Sequence, residues 1–243
     1  MNEDSTSEKR LLTITYRFRF EQQKEKEFTV RLDWETLDIL HEPGDPLPEW
    51  TELSFHQCPN CPLEESLNKS CPIAVSLIDL IDFFKDFISY DEVNVWVETE
   101  ERTYSKRTSL QTAAGSLMGI YMVSSGCPIL NKMRPMVLTH LPFQSWEETS
   151  YRFITMYLFV QHILFRGGRE PDWELKKFAD FYQEVELVNQ GFAKRLNAIQ
   201  LPQGDVSLNA INFLHSTGSM AGMTIEVDGL EYWNKIIMAH WDE

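Results

Sequence analysis

The sequence is poor in positive charge and contains no long apolar run. Its 243 residues include 22 Lys and Arg against 37 Asp and Glu, which gives a formal net charge of −15. The negative charge is spread along the chain, so non-specific binding to nucleic acid or to an anionic membrane is not expected. The longest apolar stretch, at 153–165, is interrupted by polar residues and is too short to span a bilayer. The composition predicts a soluble protein and leaves room for a protein partner.

Several common catalytic and targeting motifs are also absent. The sequence has no Walker P-loop, no Gly-x-Gly-x-x-Gly, no Gly-x-Ser-x-Gly and no His-Glu-x-x-His motif. The N-terminus is polar and lacks the apolar segment of a secretory signal, so we expect a cytoplasmic protein. In that reducing compartment cysteines more often serve as metal ligands or reactive thiols than as disulfides.

Against these absences, the four cysteines form a distinctive pattern, because each is followed directly by proline. They are Cys58, Cys61, Cys71 and Cys127, with the spacing Cys-x2-Cys-x9-Cys-x55-Cys. The two-residue gap lets the first two sulfurs reach one metal centre from a single turn. Each following proline fixes the backbone φ and removes an N–H that could bond to sulfur. We therefore predict one cofactor-binding and metal-binding site with four thiolate ligands.

Three interpretations of this site remain open. An iron–sulfur cluster, most simply 4Fe–4S, is favoured by SCPIAVSL, which is similar to the Cys-Pro entry to a helix in bacterial ferredoxins, although their compact run of three cysteines is absent. A structural Zn2+ site usually pairs two close Cys-x-x-Cys turns, and only one is present. Reduced thiols without a metal would leave Cys71 and Cys127 unexplained. Beside the first pair, His56 could orient a ligand loop or replace a cysteine, or be an ordinary loop histidine.

A second group of polar residues lies at 139–152. His140, Glu148 and Arg152 could act as acid, base and anion clamp in an enzyme. They could equally be structural, because Glu148 suits the first turn of a helix and Arg152 could pair with Glu148 four residues before it. No catalytic residue is assigned beyond these candidates.

The periodicity predicts an α+β fold, with a small antiparallel sheet from the N-terminal half packed with a mainly helical C-terminal half. Alternating residues predict a hairpin, a third strand and a shorter fourth strand, together with a short strand before the cysteines, at 11–20, 28–32, 93–97, 102–105 and 53–55. Residues 1–10 are predicted to be a disordered lead to a single domain at 11–243.

Helices are predicted from apolar stripes, caps and glycine stops. Pro72 fits the first turn of a helix that begins at Cys71, and Ser145 and Glu148 form a capping box. Thr108 and Gln111 form a second such pattern. The predicted helices lie at 34–40, 71–88, 108–124, 145–165 and 172–196, followed by a shorter one from 205 or 207 and one at 230–241.

Five short segments resemble the hallmark segments of a family of uncharacterised bacterial proteins. They are HQCPNCPL, CPIA, SGCP, HLPF and EETSYR, and they fall within residues 50–200. The resemblance implies no activity, substrate or metal. Three functional hypotheses follow from the residues themselves: an iron–sulfur protein for electron transfer or for redox or iron sensing, a scaffold protein with structural zinc, and an enzyme with its metal near His140 and Arg152.

Overall fold

A four-stranded antiparallel sheet forms much of the N-terminal half of the computed structural model. The structure describes residues 9–21, 24–199, 204–226 and 230–241, with the backbone alone at 220–226. The sheet has the order β2-β1-β3-β4, so β1 lies between its hairpin partner and a strand that arrives much later in the chain. The strands are β1 (Leu11–Arg19), β2 (Glu25–Asp33), β3 (Glu92–Glu98) and β4 (Thr103–Ser109).

The two faces of the sheet differ sharply. Alternate residues of β1, including Tyr16 and Phe18, are fully buried against the helices. On the opposite face Arg17 forms ion pairs with Glu27 and Glu98, each at 3.3 Å. This period-two division is what the sequence predicted, and it gives a sheet with one face packed and one face in water.

Helices cover the packed face and make up most of the C-terminal half. They are α1 (Pro72–Ser76), α2 (Ile78–Phe84), α3 (Leu110–Ser124), α4 (Trp146–Arg166), α5 (Lys176–Ala198), α6 (Val206–Glu226) and α7 (Leu230–Met238), with 3-10 turns at Glu49–Thr51 and Leu130–Thr139. A Cβ at Gly115 of α3 would lie 3.2 Å from the carbonyl oxygen of Ala210, so glycine lets α6 approach closely there. The predicted α+β class is confirmed.

Several predicted boundaries hold, and one cap holds in detail. Ser145 accepts from the backbone N–H of Glu148, and the Glu148 carboxylate accepts from the N–H of Ser145, which completes the capping box of α4. Gly126, with φ +97°, follows the end of α3 as predicted. The apolar stripe predicted for α5 is buried, but the helix begins at Lys176 and not at 172 as predicted. The Asp172 carboxylate accepts from two N–H groups of its first turn.

The predicted helix at 34–40 is wrong, because the segment is a turn. The Asp33 carboxylate accepts the N–H groups of Glu35 and Thr36, and Leu37 has φ +56°. A side chain that bonds its own following backbone competes with helix formation. The chain then pairs Leu32 with Ile39 in a single bridge.

Three other expectations need correction. The predicted strand at 53–55 is only a bridge between Glu52 and Ser70, and the predicted helix at 71–88 is two short helices that meet at Leu77. Ser109, not Thr108, precedes α3, because β4 continues to Ser109. The backbone carbonyls of Ser89 and Asp91, in the turn before β3, accept the first N–H groups of the helix.

Other predictions fall partly or wholly outside the described residues. Residues 1–8 of the predicted lead are among these, while Lys9 pairs with Asp33 at 3.5 Å and Arg10 lies over the ring of Trp34. A helix does begin near the predicted position of 205 or 207, but it is the 21-residue α6 and not the short helix that was predicted.

Candidate functional site

The four cysteines lie in one region of the core although 55 residues separate the last two in sequence. Cys71 and Cys127 are buried members of the main apolar cluster, and Cys58 and Cys61 are half-buried and pack against that cluster. None of the four is in a disulfide. The other three cysteines each act electrostatically on Cys58, so the four free thiols lie within electrostatic reach of one another.

Each thiol is presented by a short, hydrogen-bonded turn. The N–H of Cys61 donates to the carbonyl of Cys58 at 3.0 Å, which closes the Cys-Pro-Asn-Cys turn. Cys71 precedes α1 with Pro72 in its first turn, and the N–H of Cys71 donates to the carbonyl of Thr51 at 2.8 Å. Cys127 follows the left-handed Gly126 at the end of α3. The turns hold the backbone at all four positions.

Helix α5 closes the site from the far end of the chain. The Cys58 thiol donates to the carbonyl of Val188 at 3.8 Å. A Cβ added at Gly191 would lie 2.7 Å from the Cys58 sulfur and 3.2 Å from its Cα. Only glycine allows α5 to pack this closely on the Cys58 turn, and the sequence pattern contained no signal that paired these two positions.

A buried arginine is the second feature that sequence reasoning missed. Arg195 is 2% exposed and donates to the backbone carbonyls of Trp50 at 2.6 Å, Glu52 at 2.7 Å and Leu53 at 3.3 Å. Among the described residues no carboxylate lies within ion-pair distance of it. Residues 50–53 also form backbone hydrogen bonds with residues 69 and 71. Arg195 therefore stabilises the segment to which the backbone of Cys71 is bonded.

The thiols and this guanidinium affect one another electrostatically. The pKa of Cys58 is raised to about 12, first by burial and then by charge on the other three cysteines, while Arg195 acts in the opposite direction. Burial also raises the pKa of Cys71 and of Cys127, against backbone N–H groups that point at each sulfur and lower it. Without a metal the Cys58, Cys71 and Cys127 thiols are therefore protonated at neutral pH, and a metal that binds here must displace protons.

The thiols are near neighbours without being arranged around a single point. In the described part of the chain no three His, Cys, Asp or Glu side chains are grouped so as to hold one metal ion. His56 is exposed, has φ +52° and packs edge-on against Phe55 with ring centroids 5.2 Å apart. The aromatic side chain that it contacts thus lies in its own loop.

The second group of predicted site residues lies elsewhere, at the end of the Leu130–Thr139 turns. Nε2 of His140 lies 2.6 Å from the hydroxyl of Tyr16, which also lies 2.8 Å from Oγ of Ser116. Burial lowers the pKa of His140 to about 3, and the charge of Arg152 adds to that shift. His140 is therefore neutral at physiological pH.

The sequence allowed a structural ion pair between Arg152 and Glu148, and the structure does not contain that pair among the described residues. The Arg152 guanidinium donates to Oε1 of Gln144 at 2.6 Å and to the carbonyls of Met136 and Thr139, each at 2.9 Å. Glu148 is engaged in the capping box instead. His140 and Arg152 are brought together on the wall of one cavity, whereas Glu148 is not among the residues that line it.

These features define a two-layer α+β protein with a buried group of four thiols and a separate cavity between its helices. Among the described helices, none combines the length and the apolar character that a membrane span requires. The chain belongs to the family described as a domain of unknown function (DUF6901), whose model matches residues 14–236. No curated protein and no solved structure matches the chain significantly.

Proposed function

We propose that Cys58, Cys61, Cys71 and Cys127 bind an iron–sulfur cluster, most simply 4Fe–4S. The protein would use the cluster for electron transfer or for sensing oxidants or iron in a reducing, cytoplasmic environment. The observation that carries this proposal is the position of the buried Arg195 beside Cys58, Cys61 and Cys71, with no carboxylate to balance its charge among the described residues.

Charge balance supports a thiolate-bound metal centre. A buried cation is costly unless an anion or a set of hydrogen bonds offsets it. Four thiolates around a 4Fe–4S core, or around Zn2+, leave a net negative centre, which Arg195 would neutralise in part. The N–H groups that point at the sulfurs of Cys71 and Cys127 would stabilise the same negative charge.

The sequence spacing of the cysteines favours the cluster over a single zinc ion, because structural zinc sites usually pair two close Cys-x-x-Cys turns and only one is present. In a 4Fe–4S cluster each thiolate binds a different iron atom, so the four sulfurs do not need to meet at one centre. The half-buried Cys58 and Cys61 would put one side of the cluster near solvent, where electrons can be exchanged with a partner.

The test is anaerobic purification of the full chain, followed by a visible spectrum and analysis of iron, zinc and sulfide. We expect a brown protein with iron and sulfide in near-equal amounts. A colourless protein with one zinc per chain would overturn the cluster and support the alternative, a structural zinc site in a binding or scaffold protein. A protein that holds neither metal would overturn both.

Single Cys→Ser variants test each ligand separately. We expect each of the four substitutions to lower the iron content by more than about half, because removing one thiolate leaves the cluster with an incomplete ligand set. Glu65→Gln is a matched control, since Glu65 is exposed in the loop between Cys61 and Cys71. Normal iron in Cys127→Ser would exclude Cys127 from the site.

A further inference from the structure

A cavity between α3, α4, α5, α6 and the Leu130–Thr139 turns has no role in the proposed cluster. It holds about 140 Å³ of free space. Its wall is mainly apolar and includes Met133, Val137, Phe153, Val185 and Leu214. A dry apolar cavity of about 150 Å³ accepts a molecule of the size of benzene, so this cavity suits one ring or a short aliphatic chain.

The charge on the wall has one sign. Among the described residues that line the cavity, Arg152 is the only charged one, and neither an aspartate nor a glutamate is present. Three of the five N–H groups of its guanidinium donate to Gln144, Met136 and Thr139. The other two, one on Nε and one on Nη1, have no partner among the described residues. They lie on different edges of the guanidinium, so a carboxylate in the cavity would accept one charged hydrogen bond from Arg152.

A buried amide adds a second polar group to the same wall. Asn189 of α5 is 6% exposed and lines the cavity, and its side chain has no hydrogen bond to any described residue. The amide is accessible from the cavity, so water or a ligand there can bond to it. The hydroxyl of Tyr182, which also lines the cavity, is buried without a partner in the described part of the chain, and buried polar groups are normally hydrogen-bonded, so it points to a missing polar group.

We propose that this cavity binds a small organic carboxylate with a compact apolar body, the carboxylate at Arg152 and a further hydrogen bond from Asn189. The apolar body would occupy the space between Met133, Val185 and Leu214. The site is independent of the cysteines, so it stands or falls separately from the cluster.

The test is calorimetric titration of the full chain with sodium benzoate, sodium hexanoate and the uncharged benzyl alcohol. We expect benzoate or hexanoate to saturate one site and to bind at least about 10-fold more tightly than benzyl alcohol, since a charged hydrogen bond contributes roughly that much. Binding of neither carboxylate, or equal binding of benzoate and benzyl alcohol, would overturn the proposal.

Variants locate the site. Arg152→Gln should abolish the preference for the carboxylate, whereas the matched Arg134→Gln should leave it unchanged. Arg134 lies on the same turns and donates to the backbone carbonyl of Thr36, but it does not line the cavity. Arg152 also donates to two backbone carbonyls, so its replacement could weaken binding by disturbing the fold. A second pair of variants, which leaves Arg152 in place, separates the two causes. Val185→Phe should fill the cavity and weaken binding at least about 10-fold, and Asn189→Leu should weaken it about 3-fold to 10-fold. Unchanged binding in both folded variants would overturn the assignment.

Discussion

Two arginines of this protein are held in the same way but meet different surroundings. Arg195 and Arg152 each donate to backbone carbonyls, and neither is paired with a carboxylate among the described residues. Arg195 is 2% exposed and lies beside three of the four cysteines, whereas Arg152 borders a cavity. In our proposals the counter-charge of Arg195 is built into the chain as thiolate ligands, and that of Arg152 arrives with a ligand from solution.

Helix α5 is the common wall of the two regions. Val188 and Gly191 contact the Cys58 turn, while Val185 and Asn189, on neighbouring turns, line the cavity. A single helix therefore contributes residues to both sites. The end of α3 joins the regions as well, because Cys127 follows that helix and residues of α3 line the cavity.

The largest expected effect is a difference in the free energy of unfolding that is lost when each arginine is replaced by methionine. Arg195→Met leaves three carbonyls without a donor in a fully buried position and should cost about 3–5 kcal/mol. Arg152→Met removes a less buried group, whose carbonyl partners reach water more readily, and should cost about 1–3 kcal/mol. Urea unfolding of both variants measures the difference, and equal losses would remove the distinction between the two sites.

A pH series tests the cavity side of the comparison. The pKa of His140 is lowered to about 3 in the folded protein, whereas in the unfolded chain it is about 6.5. Between these two values the unfolded chain binds a proton at this residue and the folded protein does not. The free energy of unfolding should therefore fall by about 1.4 kcal/mol for each unit by which the pH is lowered from 6.5 to 3, from this residue alone. Urea unfolding at pH 7, 6, 5 and 4 measures it against His140→Gln, which keeps a hydrogen-bond acceptor for Tyr16. Identical pH slopes in the two proteins would show that His140 titrates normally.

The smallest expected effect compares two helix glycines. Gly191→Ala would force a methyl group to within 2.7 Å of the Cys58 sulfur, and should cost about 1–3 kcal/mol and lower the iron content. Gly119→Ala is the matched control, because its new methyl meets only Leu214 at 3.6 Å, and alanine favours a helix over glycine by about 0.5–1 kcal/mol. Thermal unfolding and iron analysis of both check the prediction. A stable, fully loaded Gly191→Ala protein would show that α5 is not packed against the ligand turn.

Local patterns predicted the elements more accurately than their ends. The capping box at Ser145 and Glu148 is present because it depends on hydrogen bonds within one turn of chain. The pattern at Thr108 failed because β4 runs through it and backbone carbonyls of a distant turn replace the side-chain cap. The helix predicted at 34–40 failed for a local reason, since Asp33 bonds its own following N–H groups.

By itself the sequence determined the α+β class, the buried faces of β1, β2, β3 and α5, and the entry of Cys71 into a helix. All of these depend on residues a few positions apart, whose side chains alternate or repeat with the period of a strand or a helix. The order of the strands, the contact of Gly191 with Cys58, the position of Arg195 beside the thiols and the cavity at Arg152 were decided only by the tertiary structure. Each joins segments that lie far apart in the chain, and which distant segments meet depends on how whole faces pack together, which no local period encodes.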